Sequence, residues 1–149
     1  MKLSTFTDYS LRVLIFLAAR PERRVTIAEI AGTFEVSEHH LTKVVHFLAR
    51  NGWLASARGR GGGLMLGRRA EDIVIGQVVR DTEGQLRPAE CFDADADDCC
   101  LSPVCRLRDA MAEAVAAFHA VLDRYTLADV VRNRADIAQV LFFPRRAAP

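Results

Sequence analysis

The chain has 149 residues, half of them apolar and about a quarter charged, with four cysteines and a net charge of +1. That length suits one compact domain with an extension, and no apolar run approaches the roughly 20 residues of a membrane span. Met1 to Ser4 leads into an amphipathic segment and not a secretory signal, so a cytoplasmic protein with no membrane partner is expected.

The small net charge conceals an asymmetry. Residues 1–70 carry eleven Lys/Arg against five Asp/Glu, and residues 71–149 carry nine against fourteen. A basic front half favours a polyanionic partner, and an acidic rear half argues against a generally adhesive surface.

The first helix is expected near Thr5, with Asp8 three residues on in the place of a capping-box acid. Leu11, Leu14, Ile15 and Ala18 recur at helical spacing, and Pro21 ends the run. A second helix opens at Thr26, with Glu29 in its first turn and Ile27, Ile30 and Ala31 on its inner side. Gly32 to Val36 reads as a turn. Ser37 then caps a third helix with Leu41, Val44, Val45 and Leu48 facing inward, stopped by Asn51-Gly52. Two short helices joined by a tight turn make a helix-turn-helix.

Trp53 to Ala57 reads as a strand and Leu64 to Leu66 as its return. Between them lies Arg58-Gly59-Arg60-Gly61-Gly62-Gly63, a basic hairpin tip. Glycine permits positive φ and close backbone approach, and arginine supplies phosphate or minor-groove contacts. The nucleotide-loop alternative lacks a Walker Lys-Ser/Thr pair and the strand–GxGxxG–helix order. A wing fits better.

Asp72 is placed to cap a helix running through Val79, and residues 84–103 form a long irregular stretch. Ser102-Pro103 supplies an N-cap and a first-position proline, which puts Cys105 in the first turn of the next helix. Leu107, Met111, Ala114, Phe118, Val121 and Tyr125 follow a heptad, suited to packing across a dimer or on the chain's own domain. Thr126 to Asp129 starts a last short helix, and Arg145 to Pro149 resembles a frayed tail.

The fold expected is mainly α with a small β-hairpin wing: a winged helix-turn-helix followed by a long dimerisation helix. Its parts are a DNA-binding domain over 1–80, a cysteine-rich loop over 81–105, and a dimerisation helix with tail over 106–149. Recognition helices present their N-terminal polar residues to base edges. Here those are Ser37, Glu38, His39, His40 and Lys43, with His46 one turn on. Arg58, Arg60, Gly61 and Gly62 complete the expected DNA contacts at the wing. Double-stranded operator DNA is the expected partner.

The four cysteines, Cys91, Cys99, Cys100 and Cys105, fall within fifteen residues. In a reducing compartment such a cluster signals metal or redox chemistry more than a disulfide framework. Cys99 precedes Cys105 by six residues and Cys91 lies eight further back, spacings that let three sulfurs surround one centre. Iron–sulfur clusters are held mainly by thiolates, and zinc sites are usually read from paired C-x₂₋₄-C units absent here. A calcium loop over Asp93, Asp95 and Asp97 fails because Asp98 stands in the glycine position and Val104 in the final glutamate position. A cluster-free thiol/disulfide switch stays open. An enzyme is not expected, since no catalytic constellation occurs.

With these features assembled, the chain resembles the nitric-oxide-sensing branch of the winged-helix iron–sulfur regulators, from Met1 to about Val131. Three segments carry the likeness: Phe6-Thr7-Asp8-Tyr9-Ser10-Leu11-Arg12, Cys99 through Leu107, and Tyr125-Thr126-Leu127-Ala128-Asp129. The resemblance implies a homodimeric repressor of an inverted-repeat operator, released by nitric oxide, with one [4Fe-4S] cluster per subunit. It implies Cys91, Cys99 and Cys105 as ligands, with Asp8 of the partner subunit as the fourth. A related regulator of cluster assembly has a histidine three residues after the third cysteine, where this chain has Arg108, so the [2Fe-2S] version fits less well. Sensing of oxygen or of iron–sulfur status is the alternative signal. Cys100 has no role in the family pattern.

Overall fold

The computed structural model describes residues 2–57, 59, 61–92 and 99–142. Three helices open the chain: α1 (Thr5–Ala19), α2 (Ile27–Phe34) and α3 (Glu38–Arg50). Ser4 caps α1 by accepting the Thr7 N–H. Asp8, expected as the capping acid, lies one residue too far along for that and instead pairs with Arg12 at 2.9 Å. Before α2, Thr26 and Glu29 form the reciprocal capping box, and the Thr26 backbone N–H holds the Glu29 carboxyl below its ordinary range.

The turn of the helix-turn-helix falls later than expected. Phe34 packs edge-on to Phe16, ring centroids 6.0 Å apart, and α2 continues through Gly32 to reach it. The left-handed residue that breaks the helix is Glu35, at φ 54° and ψ 42°. Ser37 precedes α3 as expected, but its hydroxyl makes no cap bond.

Strands β1 (Leu54–Ala57) and β2 (Gly63–Leu66) form an antiparallel hairpin with Leu54 opposite Leu66 and Ala57 opposite Gly63. Val25 joins its edge by exchanging backbone bonds of 3.2 and 2.8 Å with Leu64. Gly63, at φ 148°, allows this approach, because a Cβ there would sit 3.0 Å from the Val25 carbonyl oxygen.

The next helix, α4 (Ile75–Glu83), begins three residues after the expected Asp72, which belongs to a separate 3-10 turn. The reason is that residues 73–75 are committed to a bridge: the Leu127 N–H donates to the Ile73 carbonyl at 2.8 Å, and the Ile75 N–H to the Tyr125 carbonyl at 2.9 Å. The long helix α5 spans Arg106–Leu122. Ser102–Val104 make their own 3-10 turn, and Cys105, with φ −81° and ψ 97°, is the N-cap of α5 and not a first-turn residue. Extended backbone at Cys105 separates the two.

After the Thr126–Asp129 capping box comes α6 (Leu127–Val130), then α7 (Arg134–Phe142), a helix that no pattern in the sequence announces. It returns to α1: the Phe142 ring meets Phe16 edge-on at 4.8 Å, and the Arg20 guanidinium lies 4.6 Å from the Phe142 ring centre. The tail at Arg145 to Pro149 lies outside the described residues.

The core gathers around α1. Val13, Leu14 and Phe16 meet Leu41, Val44 and Leu48 of α3, Trp53 before β1, and Val78 and Val79 of α4. Each such side chain contributes about 1.5–3 kcal/mol by leaving water. Leu127 and Val131 close the same core from beyond α5. None of α5's residues is fully buried. Its heptad seam is divided: Phe118 leans on the core, whereas Leu107, Val121 and Tyr125 are exposed, Leu107 by 66%.

Candidate functional site

The inner face of α3 fixes what its outer face can offer. Because Leu41, Val44, Val45 and Leu48 are buried, Glu38, His39, His40, Thr42, Lys43 and His46 stand exposed, preceded by exposed Ser37. The helix thereby presents five of the sequence-predicted contacts, Ser37, Glu38, His39, His40 and Lys43, together to solvent. Successive helical side chains diverge by about 100°, and the His39 and His40 ring centres are 6.1 Å apart. Uncapped Ser37 keeps its hydroxyl free of the helix backbone.

At the wing tip, Gly59 and Gly61 take φ 94° and 78°, and the Gly62 N–H donates to the Gly59 carbonyl at 2.9 Å. Arg58 and Arg60 lie outside the described residues. At the wing's base, Gly67 sits against the chain entering β1, where a Cβ would come within 2.6 Å of the Gly52 carbonyl oxygen. Three residues at this base, Arg68, Trp53 and Asp81, form a chain of contacts that sequence patterns do not predict. Arg68 lies over the Trp53 ring at 4.4 Å and donates to the Asn51 carbonyl at 3.1 Å. Trp53 in turn donates its indole N–H to Asp81 of α4 at 3.1 Å.

The last turn of α4 is also tied to α1. Thr7, fully buried, donates its hydroxyl to Thr82 at 2.8 Å, and the Ser4 N–H is bonded to the Glu83 carboxylate. Asp8, one residue beyond Thr7, points its half-exposed carboxylate outward to Arg12.

The cysteines lie on the segment that runs from α4 to α5. Cys91 sits in a 3-10 turn at Glu90–Phe92 and is half-buried, as is Cys105 at the start of α5. Cys99 and Cys100 are exposed, and all four are free thiols. Among the described residues no three His, Cys, Asp or Glu side chains are gathered closely enough to hold one ion. The donor chemistry nonetheless suits an iron–sulfur group: soft sulfur ligands, reduced and accessible, one at the N-cap of a long helix. Among the described residues no helix is long and apolar enough to cross a membrane.

A helix-turn-helix with a glycine-rich wing, an exposed polar recognition face and a long unburied helix defines a winged-helix DNA-binding regulator. A family model described as Rrf2, iron-dependent transcriptional regulator, matches residues 3–133. The chain belongs to the Rrf2 family. It is 52% identical over 142 residues to the HTH-type transcriptional regulator NsrR of Bacillus subtilis strain 168, covering 95% of this chain and 97% of that one. Identity to NsrR of Geobacillus kaustophilus strain HTA426 is 50%, with the same coverage. Among solved structures, T. potens IscR superposes with a TM-score of 0.73 at 28% identity, covering 100% of this chain and 94% of that one. The global cysteine regulator CymR of B. subtilis does so at 0.64 and 34% identity, covering 89% and 98%. The protein is a DNA-binding transcriptional regulator and not an enzyme.

Proposed function

We propose that the chain is a cytoplasmic, homodimeric repressor that binds an inverted-repeat operator and releases it on exposure to nitric oxide. In this reading Cys91, Cys99 and Cys105, with Asp8 of the partner subunit, hold one [4Fe-4S] cluster per subunit. Bound there, the cluster would supply iron that nitric oxide attacks. The observation that carries the reading is that Cys105 starts a helix whose exposed seam suits a second copy, while Asp8 stands outward beside the network that orients the head.

The chain's own residues do the coupling. Ser4 and Thr7 tie the start of α1 to the end of α4, so a pull on Asp8 reaches the body of the winged helix. The exposed Leu107, Val121 and Tyr125 pair with their counterparts across the dimer, which sets the separation of the two recognition helices. A coupling of about 3 kcal/mol between sensing and operator binding shifts affinity more than a hundredfold, enough for a switch.

The test is anaerobic purification followed by iron and sulfide analysis, nitric oxide titration and an operator gel shift, with Asp8→Ala alongside. Brown protein that loses its operator on titration supports the reading, as does an Asp8→Ala protein that binds weakly. Colourless protein with oxidant-sensitive DNA binding identifies a thiol/disulfide switch instead.

A further inference from the structure

Trp53 is the chain's one tryptophan, 1% exposed, and it joins three parts of the head. Its ring carries the Arg68 guanidinium at the wing's exit, its backbone leads into β1, and its indole N–H is bonded to Asp81 at 3.1 Å. Asp81 lies 28 residues away in sequence, beside the Thr82 and Glu83 that hold α1. The hairpin has two four-residue strands, held at the base by the Val25 bridge to Leu64 and by the buried Leu54 and Leu64, while its tip reaches beyond the core. The bond to α4 supplies an anchor outside the hairpin.

We propose that Asp81, acting through the Trp53 indole, is a positioning residue for the wing's contact with DNA. This rests on the reading that the wing touches the duplex through Arg58 and Arg60. Without the bond, Trp53 and the stacked Arg68 lose their fixed point on α4, and the hairpin samples directions in which its arginines miss the phosphates. Asp81 itself touches no DNA. A neutral acceptor at the same place keeps the bond, because a carboxamide oxygen also accepts from an indole N–H.

The experiment uses the full-length protein, prepared without air, and a duplex selected on it from a random-sequence library. Binding is measured across salt concentrations, with Trp53 emission as the report on the indole's surroundings. Asp81→Ala should weaken binding about tenfold, the scale of one hydrogen bond. Its salt dependence should become shallower by about 0.9 for each phosphate that the wing no longer neutralises. Asp81→Asn should restore both, and Trp53→Phe, which keeps an aromatic ring but no N–H, should mimic Asp81→Ala. A purely structural role would lower the unfolding midpoint and leave the salt slope unchanged. The proposal is overturned if Asp81→Ala shifts Trp53 emission yet binds with the original affinity and slope, or if Asp81→Asn fails as Asp81→Ala does. An Arg58→Ala/Arg60→Ala protein separates the two levels. If its slope is unaltered, the wing reading fails and takes the positioning role with it; if its slope falls while that of Asp81→Ala does not, only the positioning role is overturned.

Discussion

Arg80 on α4 and Asp123 just beyond α5 meet through two hydrogen bonds, 3.0 and 2.7 Å, one to each carboxylate oxygen. Gly76, one turn earlier on α4, is what lets Asp123 come so near: a Cβ there would fall 2.0 Å from Asp123 Oδ1 and 2.9 Å from its backbone nitrogen. Together with the bonds from residues 73 and 75 to 127 and 125, this fixes the end of α5 to the head. Gly76→Ala should therefore cost about 1–3 kcal/mol, as overpacking does where backbone is the obstacle. Urea denaturation reads this directly, and a variant as stable as the parent would refute the close fit.

The same pair predicts a pH dependence. Hydrogen bonding to Arg80 holds the Asp123 carboxyl below its ordinary value of 3.8, with the guanidinium charge adding to the effect. A carboxyl lowered on folding contributes stability that is complete above its unfolded value and disappears as pH falls through its folded one. The Thr126 backbone N–H lowers Asp129 in the same direction. The stability gap between the parent and Asp123→Asn should thus be largest at neutral pH and shrink below pH 3.8. Denaturation midpoints at a series of pH values measure it; a gap that widens toward acid contradicts the assignment.

A third prediction concerns the turn of the helix-turn-helix. Glu35 holds the left-handed conformation that glycine adopts freely, and its side chain is exposed. Left-handed backbone costs an ordinary L-residue roughly 1–2 kcal/mol, and part of any gain from glycine is offset by the freedom glycine has when unfolded. Glu35→Gly should raise stability by about 0.5–1 kcal/mol, with the Val36-to-Ala31 backbone bond unchanged. Loss of stability on this substitution would mean that the Glu35 side chain makes a contribution its exposed position does not suggest.

Local rules reach some of this architecture and not the rest. Thr26 with Glu29, and Thr126 with Asp129, are separated by three residues, so the capping boxes show in the sequence itself. The buried side of α3 follows from the spacing of its four apolar residues. By contrast, Trp53 and Asp81 are 28 residues apart, and Arg80 and Asp123 are 43 apart, so neither pairing leaves a local pattern. Asp8 has the spacing of a capping acid from Thr5, but Ser4, one residue before Thr5, takes the cap position itself. The start of α7 is hidden because its apolar residues are spread nearly evenly around the helix, and what holds it is the packing of Ile137, Leu141 and Phe142 on the core. At the candidate site the spacing of the cysteines points to the donors, but in the proposed ligand set their arrangement would depend on a second chain and on the group they surround.

The adjacent thiols give the last test of that arrangement. Cys99 and Cys100 are both exposed and both free, so accessibility does not choose between them. Neighbouring side chains diverge, and one centre shared with Cys91 and Cys105 takes only one of the two. In the proposed ligand set that is Cys99, which leaves Cys100 facing water. Cys100→Ser should keep its iron and sulfide when prepared without air, and should still release the operator duplex on nitric oxide titration. Cys105→Ser should lose both metal and response, since in the proposed ligand set its sulfur, at the N-cap of α5, ties the cluster to that helix. Metal analysis of the two variants beside the parent decides the matter: iron lost from Cys100→Ser but retained by Cys99→Ser would put Cys100 in the ligand set in place of its neighbour.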